Sequence, residues 1–196
     1  MQNETVRTPN FWKDRAKVDK NNRYYKPEIT ENLPRNSYEF SQIADELCDH
    51  AQRAAKKQLH PLLQRVDLEK LCQRHGFLEA YKQSLEREIA QRIVQWFPYV
   101  KAVYRFDSSR KNRLEEWDNT VHLLVVVPQL MPLIKELGTM LDGELLKSLK
   151  HLHWLRFQDS KSVIEIQQVT PDEMRHGVCY GAMFFSVYAA PSQVWP

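Results

Sequence analysis

Residues 100–127 read VKAVYRFDSSRKNRLEEWDNTVHLLVVV and mark the point at which the chain changes from helical to mixed structure. Residues 99–106 alternate and are rich in valine and aromatic side chains, which predicts a β-strand. Residues 120–127 form an almost continuous apolar run, as expected of a strand that is buried on both faces. The polar loop between them begins with Asp107-Ser108, and this raises the question of whether the two strands present a catalytic site.

Two long helices are predicted upstream of this stretch, with a short helix capped by Asp67 between them. From Asn36 onward, apolar residues recur at three- and four-residue steps, which predicts a helix from about 37 to 58. A longer apolar stripe in residues 77–97 predicts a second helix, which Pro98 ends. Residues 1–35 are polar and carry no apolar period, so they are predicted to form an extended arm.

Two local features belong to the longer helix and its start. His75 and Gly76 are a cation and a glycine of the kind that end helices, which predicts that a short helix ends there. Glu88 and Arg92 lie four residues apart, the spacing of a favourable ion pair along one helix.

The segment after the second strand returns to helical spacing. It covers residues 129–150, and Gly138 and Gly143 weaken its middle, so that one helix or two short ones are open alternatives. Residues 151–159 and 162–169 are predicted as two strands that flank a turn.

The C-terminal part begins with a helix start at Thr170, which is followed by a proline and two acidic residues. Residues 178–188, VCYGAMFFSVY, are compatible with a strand or with a buried helix, and periodicity does not separate the two. Because this chain end is unusually apolar and aromatic, a protein partner or self-association is expected.

The predicted order of elements indicates an α+β fold, with a helical N-terminal part followed by a small mixed β-sheet with helices. We predict three regions: an extended N-terminal arm at 1–35, a helical subdomain at 36–97 and an α/β core at 98–196.

Composition narrows the class of protein. The chain has 196 residues, of which 42% are hydrophobic, enough for one domain with a sizeable core. The formal net charge of +3 is too small to indicate a nucleic-acid partner, and that question stays open. No stretch approaches the roughly 18 consecutive apolar residues of a membrane span, so no membrane partner is predicted. The three cysteines suit neither a zinc site nor a disulfide framework, and we expect a cytoplasmic location.

A family resemblance enters at the helix and strands around the opening stretch. Residues 86–110, followed by 119–127, resemble the opening of the nucleotidyltransferase superfamily, the polymerase-beta-like fold. In that family a helix leads into a first strand that ends in Gly-Ser, and a second strand carries an Asp-x-Asp pair just before an apolar run. If residues 162–169 form the strand of the third carboxylate, the resemblance covers residues 86–170.

The resemblance implies where the reactive positions lie. In the family, two carboxylates on one strand face bind magnesium, and a third on the neighbouring strand completes the site. Here Asp107 stands in place of the glycine, Ser108 matches the serine, and Thr120 and His122 replace the carboxylate pair. Glu165 falls at the third carboxylate. The catalytic candidates carried over from the resemblance are Asp107, Ser108, His122 and Glu165.

A basic loop lies beside these positions and offers a phosphate-binding interpretation. Lysine and arginine near the start of a helix bind anionic oxygens well, and Arg105 adds to the cluster. A solvated loop is the alternative, since Glu115 and Glu116 partly cancel the charge. The phosphate-binding candidates are Ser108, Ser109, Arg110, Lys111 and Arg113.

Three functions follow from these features. The favoured one is a divergent nucleotidyltransferase-like domain with a degenerate active site, which acts without a cofactor as a binding or regulatory module. The second is an active nucleotidyltransferase that takes a nucleotide and holds Mg²⁺ through Asp118 and Glu165. The third is a helical protein-interaction module formed by residues 36–97, and an unrelated α+β domain is also open.

Overall fold

The structure of the protein is a computed structural model that describes residues 33–59, 75–106, 120–148, 162–186 and 190–196. The elements in chain order are helix α1 (Ser37–Leu59), helix α2 (His75–Trp96), strand β1 (Ala102–Arg105), strand β2 (Val121–Val126), helix α3 (Pro132–Lys147), strand β3 (Ile164–Val169), short helix α4 (Pro171–His176), a 3₁₀ helix (Cys179–Phe185) and strand β4 (Ser192–Trp195). The predicted α+β class is confirmed.

The four strands form one mixed sheet in the order β3-β2-β1-β4. β1 pairs in the antiparallel sense with both β2 and β4, whereas β2 pairs in the parallel sense with β3. A parallel pair needs a crossover, and α3 lies in the connection between β2 and β3. β2 is buried along its whole length, as its continuous apolar run predicts.

Helix α1 begins at a side-chain cap. The amide of Glu39 donates to Asn36 Oδ1 at 2.9 Å, and the Glu39 carboxylate accepts from the Arg35 amide at 2.7 Å. The first contact satisfies an amide that would otherwise have no partner in the first turn, and the second holds the residue before the cap. The observed helix Ser37–Leu59 confirms the predicted helix at 37–58 to within one residue.

Helices α1 and α2 pack side by side and run in opposite directions. The rings of Phe40 and Trp96 are 6.2 Å apart, Arg92 pairs with Glu46 at 3.1 Å, and His50 lies 3.2 Å from Glu88. The predicted pair of Glu88 with Arg92 is therefore wrong, because each side chain finds an oppositely charged or polar partner on α1.

The prediction for the start of α2 is also wrong in one detail. His75 and Gly76 are the first two residues of α2 rather than the end of a preceding helix. A glycine ends a helix when it takes a left-handed conformation, and Gly76 has no positive φ.

Helix α3 is one helix, which decides between the two alternatives for residues 129–150. Gly138 lies where α3 meets the sheet: a Cβ built at this position would lie 2.8 Å from Ile166 Cδ1. Glycine at 138 therefore allows the helix to approach β3 closely. A Cβ at Gly143 would have no heavy atom within 4 Å.

The start of β3 is held by one side chain of α3. Asp142 Oδ1 accepts hydrogen bonds from the amides of Val163 and Ile164, at 2.6 and 2.9 Å, and from the hydroxyl of Ser162 at 3.2 Å. Hydrogen bonds to a carboxylate are stronger than those between neutral groups. Asp142 thus fixes the point along the sheet at which β3 begins.

The sheet has two unlike faces. Val121, Leu123 and Val125 of β2 point into the main core together with α1, α2 and α3. This core contains residues of both 36–97 and 98–196. The opposite face carries a smaller cluster of Ala102, Leu124, Val126 and Val169, against which Tyr104, Phe106, Met174 and Phe184 pack.

The C-terminal region confirms one prediction and extends another. Thr170 caps α4 as predicted, with its hydroxyl oxygen accepting from the Glu173 amide and the Glu173 carboxylate accepting from the Thr170 amide. The described part of residues 178–188 is a 3₁₀ helix, not a strand. Gly181 permits this, because a Cβ there would collide with the Glu173 backbone.

Other predictions concern residues that the structure does not describe. They include residues 1–32 of the arm predicted at 1–35, the strand at 151–159 and its turn. Among the helices in the described ranges, none has both the length and the apolar character required to cross a membrane.

Two glycine substitutions in α3 test the packing of this helix. Gly143→Ala should raise the free energy of unfolding by about 0.5–1 kcal/mol, because alanine loses less backbone entropy in a helix and position 143 has open space. Gly138→Ala is the matched control, since its Cβ would meet Ile166 and offset the gain. Urea unfolding followed by circular dichroism measures both, and equal stabilisation would contradict the close approach at Gly138.

Candidate functional site

The structure describes two members of the predicted catalytic set, His122 and Glu165. Thr120, at the first replaced carboxylate position, is also described. The remaining candidates lie outside the described residues: Asp107, Ser108, Ser109, Arg110, Lys111, Arg113 and Asp118. The magnesium site of Asp118 and Glu165 therefore stays a prediction.

Parallel pairing of β2 and β3 brings His122 and Glu165 together. The two residues are direct partners in the strand register, so their side chains leave the sheet on the same face. His122 Nδ1 lies 3.0 Å from Glu165 Oε2. An ionised carboxylate only accepts hydrogen bonds, and Nδ1 is therefore the donor in this contact.

Burial differs sharply between the two side chains. The His122 side chain keeps only 8% of its surface exposed, whereas that of Glu165 keeps 47%. The imidazole thus lies within the protein, and the carboxylate lies at the boundary with solvent. A buried ring that donates to a fixed carboxylate is held in one orientation and one tautomer.

Phe106 and Gln167 also belong to this group of side chains. The Phe106 ring lies 5.3 Å from the His122 ring, and its amide donates to the His122 carbonyl at 3.2 Å. Gln167 Nε2 donates to Glu165 Oε1 at 2.7 Å. We call Phe106, His122, Glu165 and Gln167 the His122 cluster.

Sequence reasoning missed Phe106 and Gln167, although strand alternation contains a signal for both. Residues two apart on a strand share a face, so Gln167 must accompany Glu165. Phe106 required the antiparallel register of β1 with β2, in which Arg105 opposes Leu123 and the next residue reaches His122.

The rest of the same sheet face is covered by the C-terminal region. The rings of Tyr104 and Phe184 meet edge to face at 4.9 Å, and Phe184 belongs to the 3₁₀ helix. Met174 of α4 packs on the same apolar cluster. The His122 cluster therefore occupies one end of the face, beside the end of β1.

Thr120 offers a neutral hydroxyl where the resemblance places the first carboxylate. Its Oγ1 donates to the Ser162 carbonyl at 3.1 Å. Across the residues that the structure describes, no three His, Cys, Asp or Glu side chains come together as metal ligands could. Within that part of the chain, Glu165 is the one acid of the cluster, and its partners are an imidazole and an amide.

Arg105 does not join the His122 cluster, although sequence reasoning added it to the neighbouring basic loop. Its Nε donates to Ser192 Oγ at 2.7 Å, and its guanidinium lies 3.6 Å from Glu86 Oε2. Glu86 lies on α2, so Arg105 points to the helical side of the sheet. Burial raises the pKa of the Glu86 carboxyl, and the Arg105 charge opposes this rise.

Comparisons of the chain with protein-family models, with curated proteins and with solved structures gave no significant match.

The raised pKa of Glu86 predicts a pH-dependent effect of Glu86→Gln. The folded protein binds the Glu86 proton more tightly than the unfolded chain does. Its free energy of unfolding therefore decreases as pH rises above the ordinary pKa of the carboxyl group. The variant lacks this titration. Its stability relative to wild type should therefore increase as pH rises above the ordinary range of a glutamate carboxyl.

Urea unfolding at several pH values measures this difference. Glu46→Gln is the matched control, because Glu46 pairs with an arginine but its side chain is 58% exposed. A Glu86→Gln protein that loses stability relative to wild type as pH rises would show that the Arg105 contact outweighs burial.

Proposed function

We propose that the chain is a divergent nucleotidyltransferase-like domain that lacks metal-dependent catalysis and serves as a binding or regulatory module. One observation carries this proposal: the hydrogen bond from His122 Nδ1 to Glu165. The His122 imidazole occupies a position at which the resemblance places a carboxylate that binds metal. It forms a hydrogen bond with one oxygen of Glu165, the residue at the position of the third carboxylate.

The order of elements supports the nucleotidyltransferase-like fold in this proposal. Helix α2 leads into β1, β2 follows as its antiparallel neighbour, and Glu165 lies on β3 beside β2. The resemblance places a leading helix, two strands and a third carboxylate on the neighbouring strand in this sequence order. These matches concern the fold. A shared fold does not by itself imply the catalytic activity of the family.

The chemistry of the described side chains supports the loss of catalysis. Magnesium prefers oxygen ligands in near-octahedral geometry, and transfer by two metals requires carboxylates that can share them. Thr120 brings no charge and His122 brings a nitrogen that is already bound to Glu165. The cluster is therefore better suited to hold a fixed shape than to bind a divalent cation.

The half-exposed carboxylate of Glu165 and the ring of Phe106 are the groups through which such a module would make contact. A fixed carboxylate accepts hydrogen bonds from amides, ammonium or guanidinium groups, and an aromatic ring offers an apolar surface. These are common features of protein contacts, so the proposed partner is a protein or a second copy of the chain. A nucleotide held without magnesium is the alternative ligand.

Placing carboxylates at positions 120 and 122 tests both the nucleotidyltransferase-like fold and the loss of catalysis. Wild-type protein should bind none of the four nucleoside triphosphates in a magnesium-dependent way in calorimetric titrations. The double variant Thr120→Asp, His122→Asp should gain Mg²⁺ or Mn²⁺ binding, because two new carboxylates would then face Glu165.

Adding Glu165→Gln to the double variant is the control and should remove the gained affinity. Circular dichroism verifies that each variant is folded. If wild-type protein binds a magnesium nucleotide and Glu165→Gln abolishes that binding, the chain is an active enzyme and the proposal is wrong. If the folded double variant gains no metal affinity, the proposed nucleotidyltransferase-like fold is wrong.

A further inference from the structure

A pocket lies away from the His122 cluster, at the loop that joins β2 to α3. It is a pocket of about 360 Å³ lined by Tyr99 and residues 128–133. The described lining residues carry no charge. Small-molecule sites typically range from about 300 to 1,000 Å³ and are mainly apolar, so the pocket falls at the small end of that class.

One wall of the pocket is fixed by a side chain from β3. Gln168 Nε2 donates to the Met131 carbonyl at 2.8 Å, and Gln168 Oε1 accepts from the Met131 amide at 2.8 Å. The two bonds tie the β2-α3 loop to the sheet as another strand would. A pocket wall held in this way is formed before any ligand arrives, which lowers the entropic cost of binding.

Tyr99 presents an unusual polar group in this apolar surrounding. Its ring contacts Phe97, with centroids 5.8 Å apart, and its hydroxyl oxygen is buried without a hydrogen-bond partner in the described part of the protein. Burial raises the pKa of this hydroxyl, which therefore keeps its proton and remains a donor. A buried donor without a partner costs free energy, which an acceptor group would recover.

We propose that this pocket binds an uncharged, mainly apolar small molecule that accepts a hydrogen bond from the Tyr99 hydroxyl through one oxygen or nitrogen atom. A charged ligand would lose its hydration without gaining a counter-charge among the described lining residues. A pure hydrocarbon would leave the hydroxyl unpaired.

Two further features agree with this assignment. The pocket lies outside the carboxyl end of β2, and in open α/β sheets ligands bind at the carboxyl ends of parallel strands. The ligand must shift a lining side chain to reach the buried oxygen, and Leu130, which is 51% exposed, has room to turn toward solvent. The inference is independent of the proposed function, because it involves none of the residues of the His122 cluster.

A matched pair of probes tests the hydrogen bond directly. Acetophenone carries a carbonyl acceptor, and α-methylstyrene has nearly the same shape with a methylene group in place of the oxygen. In nuclear magnetic resonance titrations of the full chain, both should shift the amide resonances of residues 130, 131 and 133. Acetophenone should bind about three- to tenfold more tightly, the ratio expected for one additional hydrogen bond.

Tyr99→Phe should remove the advantage of acetophenone and leave the affinity for α-methylstyrene unchanged. Tyr104→Phe is the control, because Tyr104 packs on Phe184 at the opposite face of the sheet. Equal affinity of the two probes for wild type, a preference that survives in Tyr99→Phe, or no shift with either probe would overturn the proposal.

The stability of Tyr99→Phe gives a second readout that needs no ligand. Removing an unpaired buried hydroxyl should leave the free energy of unfolding unchanged or increase it. A clear loss of stability would show that the hydroxyl already has a partner in the free protein, and this too would overturn the proposal.

Discussion

The carboxylate of Asp142 determines where β3 begins, and the arrangement of the candidate site depends on that point. One oxygen of this side chain accepts from two successive backbone amides and a hydroxyl at the start of the strand. A slip of β3 by one residue would turn Glu165 toward the helices and bring Ile164 and Ile166 out of the core. The contact between His122 and Glu165 is therefore a consequence of how α3 holds the sheet.

The two faces of the sheet also determine which charged side chains can meet. One face is used for the main core, and Arg105 joins that side through its contact with Glu86. The other face is partly covered by the 3₁₀ helix, and the His122 cluster lies at the end of that face where β1 ends. The guanidinium of Arg105 and the carboxylate of Glu165 thus lie on opposite faces of the sheet.

Local patterns were sufficient to predict the elements that have strong periodicity. The stripe of α2, the apolar run of β2 and the Thr170 cap each act over a few residues, and their spacing can be read directly. Contacts across the fold could not be read in this way. Glu88 and Arg92 find partners on α1 instead of each other, and the short edge strand β4 has no periodicity of its own. The positions of His122 and Glu165 came from a resemblance, whereas their hydrogen bond depends on a parallel register that local sequence does not specify.

The most direct measurement of the central contact is the proton position on the His122 ring, obtained from long-range proton–nitrogen correlation spectra of ¹⁵N-labelled protein. When the ring carries one proton, we expect that proton on Nδ1, because the Glu165 carboxylate accepts from this atom. In Glu165→Ala the preference for Nδ1 should weaken or reverse. A wild-type ring with its single proton on Nε2 and an unprotonated Nδ1 would contradict the pairing of His122 with Glu165.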